Sequence, residues 1–398
     1  MSKYILITGG ELFNKGAQAM TYITADYIAE KHPDCEAVVF SEGDARRPKE
    51  FKAMYKFEIL PFPGFGESLS LQTGLLKKRY LKRENGKNFE RYREIFKNAV
   101  AMIDISGYAL GSNWKKSTVN GYLRRISLAN HFNIPVYLMP QSFGPFDFEG
   151  LGGKIMDMRI KKALKKVRCI MARETEGYDL LTKKYRLKNV IKTFDLVLQN
   201  KGIDLGNVFH ELPDMDIPQI EGESVAIIPN GKNEKYGNKD AVMSLYKSVI
   251  QEILQKGKRV YLIYHAVEDL KICKAVKNEY FHDNDNVAVI EKELSSIEFG
   301  HFVSGFSFVV ASRYHSVVHS YKEGVPAVIL GWAIKYRELS AEFSQDKFCF
   351  DVRGALNEEK VLDAIRYMCD NHENESKIIR EKLITVQKNN VYDLISIK

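Results

Sequence analysis

The sequence is poor in the features that would tie it to a metal, a disulfide framework or a bilayer span. Its five cysteines (Cys35, Cys169, Cys273, Cys349 and Cys369) are odd in number, widely separated and never in a Cys-x-x-Cys pair. That spacing excludes a disulfide scaffold and a zinc ribbon, and it fits a reducing compartment. No apolar run approaches the ~20 residues of a spanning helix. The opening Met-Ser-Lys-Tyr-Ile-Leu-Ile-Thr-Gly-Gly reads as a strand entering a turn, without the apolar region of a signal peptide. A cytoplasmic protein is expected, with any membrane contact peripheral and at the inner face.

Other absences narrow the chemistry. Gly9-Gly10, then Asn14 and Gly16, is not Gly-x-Gly-x-x-Gly, and no acidic residue ends the second strand to hold a ribose. A P-loop lysine and serine are also missing. Glycines after a first strand still allow close approach of a ligand, with a helix N-terminus behind them. The net charge of +8 is a modest excess, without zinc spacing or an aromatic-basic motif, so no nucleic-acid partner is expected. His315 and His319 are four apart, but no carboxylate has ligand spacing to them, so no metal site is assigned.

What is present is a packed α/β chain. Apolar residues make up 45% of 398, and at about 150 residues per domain the length predicts two or three domains. Strand-like runs at residues 4–7, 36–40, 101–105, 136–139, 169–172 and 190–194 alternate with helical stretches, which predicts a parallel sheet covered on both faces. The pattern breaks over residues 201–223, where Gly202, Gly206, Pro213, Pro218 and Gly222 replace periodicity with turn signals. A second series follows at 224–228, 259–263, 287–290, 308–311 and 327–330. The expectation is an N-terminal Rossmann-like domain over 1–200, a linker over 201–223 and a C-terminal one over 224–375. Residues 376–398 read as a helix packing back on the first domain. Two such domains facing across a cleft form a GT-B-like arrangement. A basic run, Lys77-Lys78-Arg79 and Lys82-Arg83, reads as a solvated helical face or as a surface for anionic lipid.

The most informative stretch is Ser312-Arg313-Tyr314-His315-Ser316, with Gly324-Val325-Pro326 and Gly331-Trp332-Ala333-Ile334-Lys335-Tyr336 downstream. Arg313 and His315 fall where a strand gives way to a helix, and Lys335 sits past the end of the next strand. Ligands of open parallel sheets bind at the carboxyl ends of strands. An anion beside His315 would favour its protonated form, a competent general acid near neutral pH. Arg173 also follows a strand; it pairs with Glu174 or Glu176 at the surface, or it reaches an anionic ligand as a bidentate fork. Lys335 is an exposed lysine at a helix start or a point charge for a carboxylate or phosphate. His265, Gln141 and Asn14 occupy further strand-end turns, as candidates to contact an acceptor.

This order of motifs resembles the polysaccharide pyruvyltransferase family. The C-terminal Arg-x-His, Gly-x-Pro and Lys-Tyr elements match its signature, although Ser312 and Arg313 lack the intervening residue of the family pattern. Ile7-Thr8-Gly9-Gly10 with Asn14-Lys15-Gly16-Ala17, Ile105 to Leu110, Pro140 to Pro145 and Met171-Ala172-Arg173-Glu174 are similar to its earlier motifs. The resemblance implies transfer of the pyruvyl group of phosphoenolpyruvate to a sugar as a cyclic ketal. His315 would be the acid, Arg173, Arg313 and Lys335 would hold the donor, and no cofactor would be needed. The acceptor would be a glycan or a polyprenyl-diphosphate-linked oligosaccharide of cell-surface polysaccharide. A nucleotide-sugar glycosyltransferase of the same architecture is the alternative enzyme, and a non-catalytic carbohydrate-binding protein the alternative outside enzymes.

Overall fold

A computed structural model of the protein describes residues 2–75, 86–354 and 356–397. The basic run at residues 77–83 therefore lies outside the described residues. Among them, the chain groups into two compact units. The first holds Met1–Leu196, Asn200–Pro213 and Asn390–Lys398; the second holds Val197–Gln199 and Asp214–Asn389.

In the first unit β1 (Lys3–Thr8), β2 (Cys35–Phe40), β3 (Glu58–Leu60), β4 (Ala99–Asp104), β5 (Val136–Gln141), β6 (Cys169–Ala172) and β7 (Val190–Lys192) form one sheet, in the order β3-β2-β1-β4-β5-β6-β7. In the second, β8 (Ser224–Ile228), β9 (Arg259–Ile263), β10 (Val287–Ile290), β11 (Phe308–Ala311), β12 (Ala327–Gly331) and β13 (Cys349–Asp351) are ordered β10-β9-β8-β11-β12-β13. Every pairing is parallel. Both sheets thus repeat one Rossmann-like order, which reverses beside the first strand of each.

Continuous apolar runs explain the strands. β5 and β8 are buried at every position, as strands covered by helices on both faces require. Pro140 lies inside β5 and has no N–H for the ladder, and the β5–β6 register shifts between Leu138 and Gln141. Leu6, Val38, Met102, Leu138 and Ile170 lie in one core, and Val225, Ile227, Leu262, Val310 and Val328 in another. Truncating one such side chain to alanine costs about 2–5 kcal/mol.

Two glycines mark sites where backbone geometry decides. Gly9, at φ +80° past β1, has a Cβ position 2.6 Å from the Ser106 backbone, so only glycine lets the loops after β1 and β4 meet. Gly324, at φ +75°, ends the Tyr314–Lys322 helix and gives Val325-Pro326 their entry into β12.

Residues 200–213 are anchored to the first unit: Phe209 packs edge-on to Tyr22 at 5.3 Å, and Asn207 donates to Asp26 at 2.8 Å. In the second unit the Glu221 N–H donates to the Tyr261 hydroxyl at 3.0 Å. At the other end, one helix spans Glu358–Val386 and belongs to the second unit. The tail beyond Asn390 belongs to the first, with Tyr392 stacked on Tyr27 at 4.0 Å and its hydroxyl 2.8 Å from that of Thr24.

Candidate functional site

The carboxyl edge of the second sheet is knitted by a few side chains. Asn230, just past β8, donates Nδ2 to the Ser312 carbonyl at 2.8 Å and accepts at Oδ1 from the Lys232 N–H at 3.0 Å. The Tyr336 hydroxyl donates to the same Ser312 carbonyl at 3.0 Å. Asp269, fully buried after β9, accepts the Gly231 N–H at 2.9 Å and a fork from Arg313, at 2.7 Å from Nε and 2.9 Å from Nη2. The turns after β8, β9, β11 and β12 are thereby tied together at the point where the strand order reverses, the general ligand position of such sheets.

Three cations converge on this edge. Burial works against the charge of Arg313, but Asp269 and Glu268 raise its pKa above the usual value. Nη1 has no hydrogen-bond partner among the described residues. Lys232, on the exposed side of its helix, has Nζ 5.5 Å from the centre of the Trp332 ring, which itself stacks on Tyr236 at 4.4 Å. Desolvation first, and Arg313 second, lower its pKa. Its positive charge is therefore held where an anion would relieve it. Lys335 Nζ lies 5.1 Å from the centre of the Tyr314 ring and 5.8 Å from that of Tyr336.

Two helix starts add to this field. The Tyr314–Lys322 helix starts at Arg313 and the Ile334–Glu342 helix at Ala333; neither has a side-chain cap or an acidic residue in its first turn. Uncapped N-termini carry partial positive charge. His315 sits in the first turn of one, edge-on to Tyr314 at 5.4 Å, and Lys335 in the first turn of the other. The helix begins earlier than the sequence pattern around Val317 suggests, so His315 is helical while Arg313 remains extended. His265 is 5% exposed and packs edge-on against Phe299 at 5.2 Å, with the His319 ring 6.3 Å away.

Arg313, His315 and Lys335, all singled out by sequence, thus come together. Lys232 and Trp332 belong with them and were passed over. The signal for Lys232 is Pro229-Asn230-Gly231-Lys232, a turn directly after an apolar run, of the kind that singled out Arg313.

The other candidates lie in the first unit and are engaged in its internal structure. Arg173, with its side chain 2% exposed, donates Nε to Glu174 at 2.8 Å, Nη1 to Asp195 at 2.9 Å and Nη2 to the Ser142 hydroxyl at 2.9 Å. It is the hub of a buried ion cluster. Gln141 is fully buried: it accepts from the Tyr122 hydroxyl at 3.1 Å and donates to Asp104 at 3.3 Å, and Thr8 donates to that same carboxylate at 2.6 Å. Asn14 caps the Lys15–Lys31 helix, accepting from the N–H groups of Gly16 and Ala17.

Comparison with known proteins agrees with this architecture. The structure of UGT71G1 from Medicago truncatula in complex with UDP-glucose aligns over 98% of this chain and 95% of that one, at 13% identity and a TM-score of 0.54. The UDP-GlcNAc 2-epimerase of Methanocaldococcus jannaschii aligns over 96% and 99%, at 12% identity and 0.52. The spinosyn forosaminyltransferase SpnP aligns over 96% and 95%, at 11% and 0.52. At such identities the likeness is one of fold, and the fold is GT-B. In sequence, the amylovoran biosynthesis protein AmsJ of Erwinia amylovora is 22% identical over 261 residues, 62% of this chain. The alignment spans 61% of that relative's length. The polysaccharide pyruvyl transferase family matches residues 14–333, a span running from the cap of the first helix through β12 to Ala333. With so much of its length matched, the chain belongs to the polysaccharide pyruvyl transferase family.

Proposed function

We propose that the protein transfers the pyruvyl group of phosphoenolpyruvate to a sugar of a glycan or lipid-linked oligosaccharide, closing a cyclic ketal in polysaccharide biosynthesis. The observation that carries this reading is that Lys232, Arg313, His315, Lys335 and two uncapped helix starts share the carboxyl edge of one sheet. Phosphoenolpyruvate presents a phosphate and a carboxylate, so it needs several cations and donors in one place. The relative named for amylovoran biosynthesis supports a polysaccharide setting.

In the proposed reaction His315 delivers a proton to the methylene carbon of the donor, leaving an oxocarbenium-like centre at C2. One sugar hydroxyl adds there and gives up its proton. The C2–O bond to phosphate then breaks, phosphate departs, and the second hydroxyl closes the ring. One hydroxyl proton replaces that taken up by the methyl group, and the other leaves with phosphate. No carbon is oxidised by an outside reagent. Lys232, Arg313 and Lys335 hold the donor's anionic groups, while Asp269 fixes the Arg313 plane so that Nη1 faces outward from the pair. Arg173 acts through the shape of the first unit, by locking the turn after β6 to Ser142 and Asp195. His265 supports the turn after β9 in the second unit, where an acceptor would meet the donor.

Calorimetric titration of phosphoenolpyruvate into wild type, Lys232→Met and Arg313→Gln tests the assignment. Wild type should bind, and each substitution should weaken binding by about ten-fold or more, as expected for a lost charged hydrogen bond. Tight binding of a nucleotide sugar, with no heat from phosphoenolpyruvate, would replace this reading with glycosyl transfer.

A further inference from the structure

The Gly150–Leu164 helix of the first unit has two opposed faces. Gly153, Met156, Ile160 and Leu164 are buried. At 100° per residue, Leu151, Ile155 and Met158 fall together on the opposite side. There they are 81%, 53% and 63% exposed. Lys154 and Lys161 flank this stripe on one side, Arg159 and Lys166 on the other, and Lys162 and Lys165 continue it. Asp157 is the helix's one acidic residue; it accepts from the Tyr185 hydroxyl at the margin of the buried face.

A groove of about 800 Å³ runs beside this helix, lined by Phe65, Leu69, Arg124, Arg159, Lys162 and Lys166 among others. Phe65 is 74% exposed. Arg124 Nε is shielded from solvent without a hydrogen-bond partner, and burial lowers the pKa of its guanidinium. The face therefore combines protruding aliphatic side chains with a surplus of cations.

We propose that this face docks on a bilayer surface rich in anionic phospholipid. Leu151, Ile155 and Met158 enter the acyl boundary, the lysines meet headgroup phosphates, and the groove takes up a headgroup beside Arg124. An apolar stripe bordered by lysine and arginine is the amphipathic pattern that interfacial helices use, and each basic residue near an anionic leaflet contributes about 1 kcal/mol. A second copy does not fit, because a two-fold contact would bring like charges together. Nucleic acid would leave the three aliphatic side chains without a partner.

Co-sedimentation of the full chain with phosphatidylglycerol-containing vesicles and with pure phosphatidylcholine vesicles tests it. Wild type should pellet with the anionic vesicles alone, less so as salt is raised. The triple variant Leu151→Ser/Ile155→Ser/Met158→Ser, exposed at all three positions and so not expected to unfold, should bind about ten-fold more weakly or worse. Lys154→Glu/Lys162→Glu should lose a similar amount. Equal binding to both vesicle types, or binding untouched by either variant, would overturn the proposal. So would concentration-dependent dimerisation in solution that the triple variant abolishes, since the stripe would then belong to a second copy.

Discussion

The carboxyl edges of the two sheets are built on one strand order and reach opposite electrostatic states. In the first unit three polar side chains near the strand ends are answered within the fold: Arg173 by Glu174 and Asp195, Gln141 by Tyr122 and Asp104, Asn14 by the helix it caps. In the second, Asp269 orders Arg313 from behind, while Lys232 lies against the Trp332 ring and Lys335 against that of Tyr314. Equivalent topology thus carries different polar networks at the two edges, a buried ion cluster in one unit and cations beside aromatic rings in the other. Fold alone does not say which edge does chemistry.

The sharpest way to break this contrast is at His315. His315→Gln should lower kcat by about 10²–10⁴-fold, the usual contribution of a general acid. The readout is phosphate release from phosphoenolpyruvate with a glycan acceptor, while calorimetry should show donor binding retained. Loss of binding alone, with kcat intact, would make His315 a ligand contact instead.

Stability should separate the two edges next. Arg173→Met leaves two buried carboxylates without their cation and should destabilise by about 3–5 kcal/mol. Lys232→Met keeps an apolar stem against Trp332 and removes a desolvated charge repelled by Arg313, so denaturation should find its stability unchanged or raised. An equal loss in both variants would erase the distinction between the edges.

A smaller effect concerns the far end of the helix that carries His315. Lys322 Nζ is shielded from solvent with no hydrogen-bond partner among the described residues. Desolvation lowers its pKa to about 8 despite the opposing pull of Glu323. Its folded pKa lies below the unfolded value, so between about 8 and 10.5 the unfolded chain binds more protons and this residue's contribution to stability rises with pH. Lys322→Met should therefore stabilise by roughly 2–3 kcal/mol at pH 7, the difference shrinking as pH rises through that window. Parallel urea titrations at several pH values would show it; a constant difference would rule out this account.

Sequence reading reached most of the architecture because parallel strands buried on both faces appear as unbroken apolar runs. It pointed to Arg313, His315 and Lys335 because each lies within four residues of the end of such a run. The short outer strands β3 and β13, three residues each, leave too little pattern to detect. What pairs with a strand-end residue was less legible. Asp195, which occupies Arg173, lies 22 positions away, and Asp269, which orders Arg313, lies 44 away. No local period encodes such distances. Asn14 is a different case: an asparagine before a helix is a cap signal, and the neighbouring glycines drew attention to a ligand instead.

The double engagement of Asn230 bears on how the protein ages. Only an amide can donate to the Ser312 carbonyl while accepting from the Lys232 N–H, so a carboxylate in its place would lose one bond and put a negative charge among the cations. Slow hydrolysis of an Asn–Gly pair makes that very replacement, and it begins when the glycine nitrogen attacks the side-chain carbon. Here the Gly231 N–H is donated to Asp269 at 2.9 Å and the amide is held at both ends. The folded state thereby protects this cation-rich edge from acquiring a negative charge.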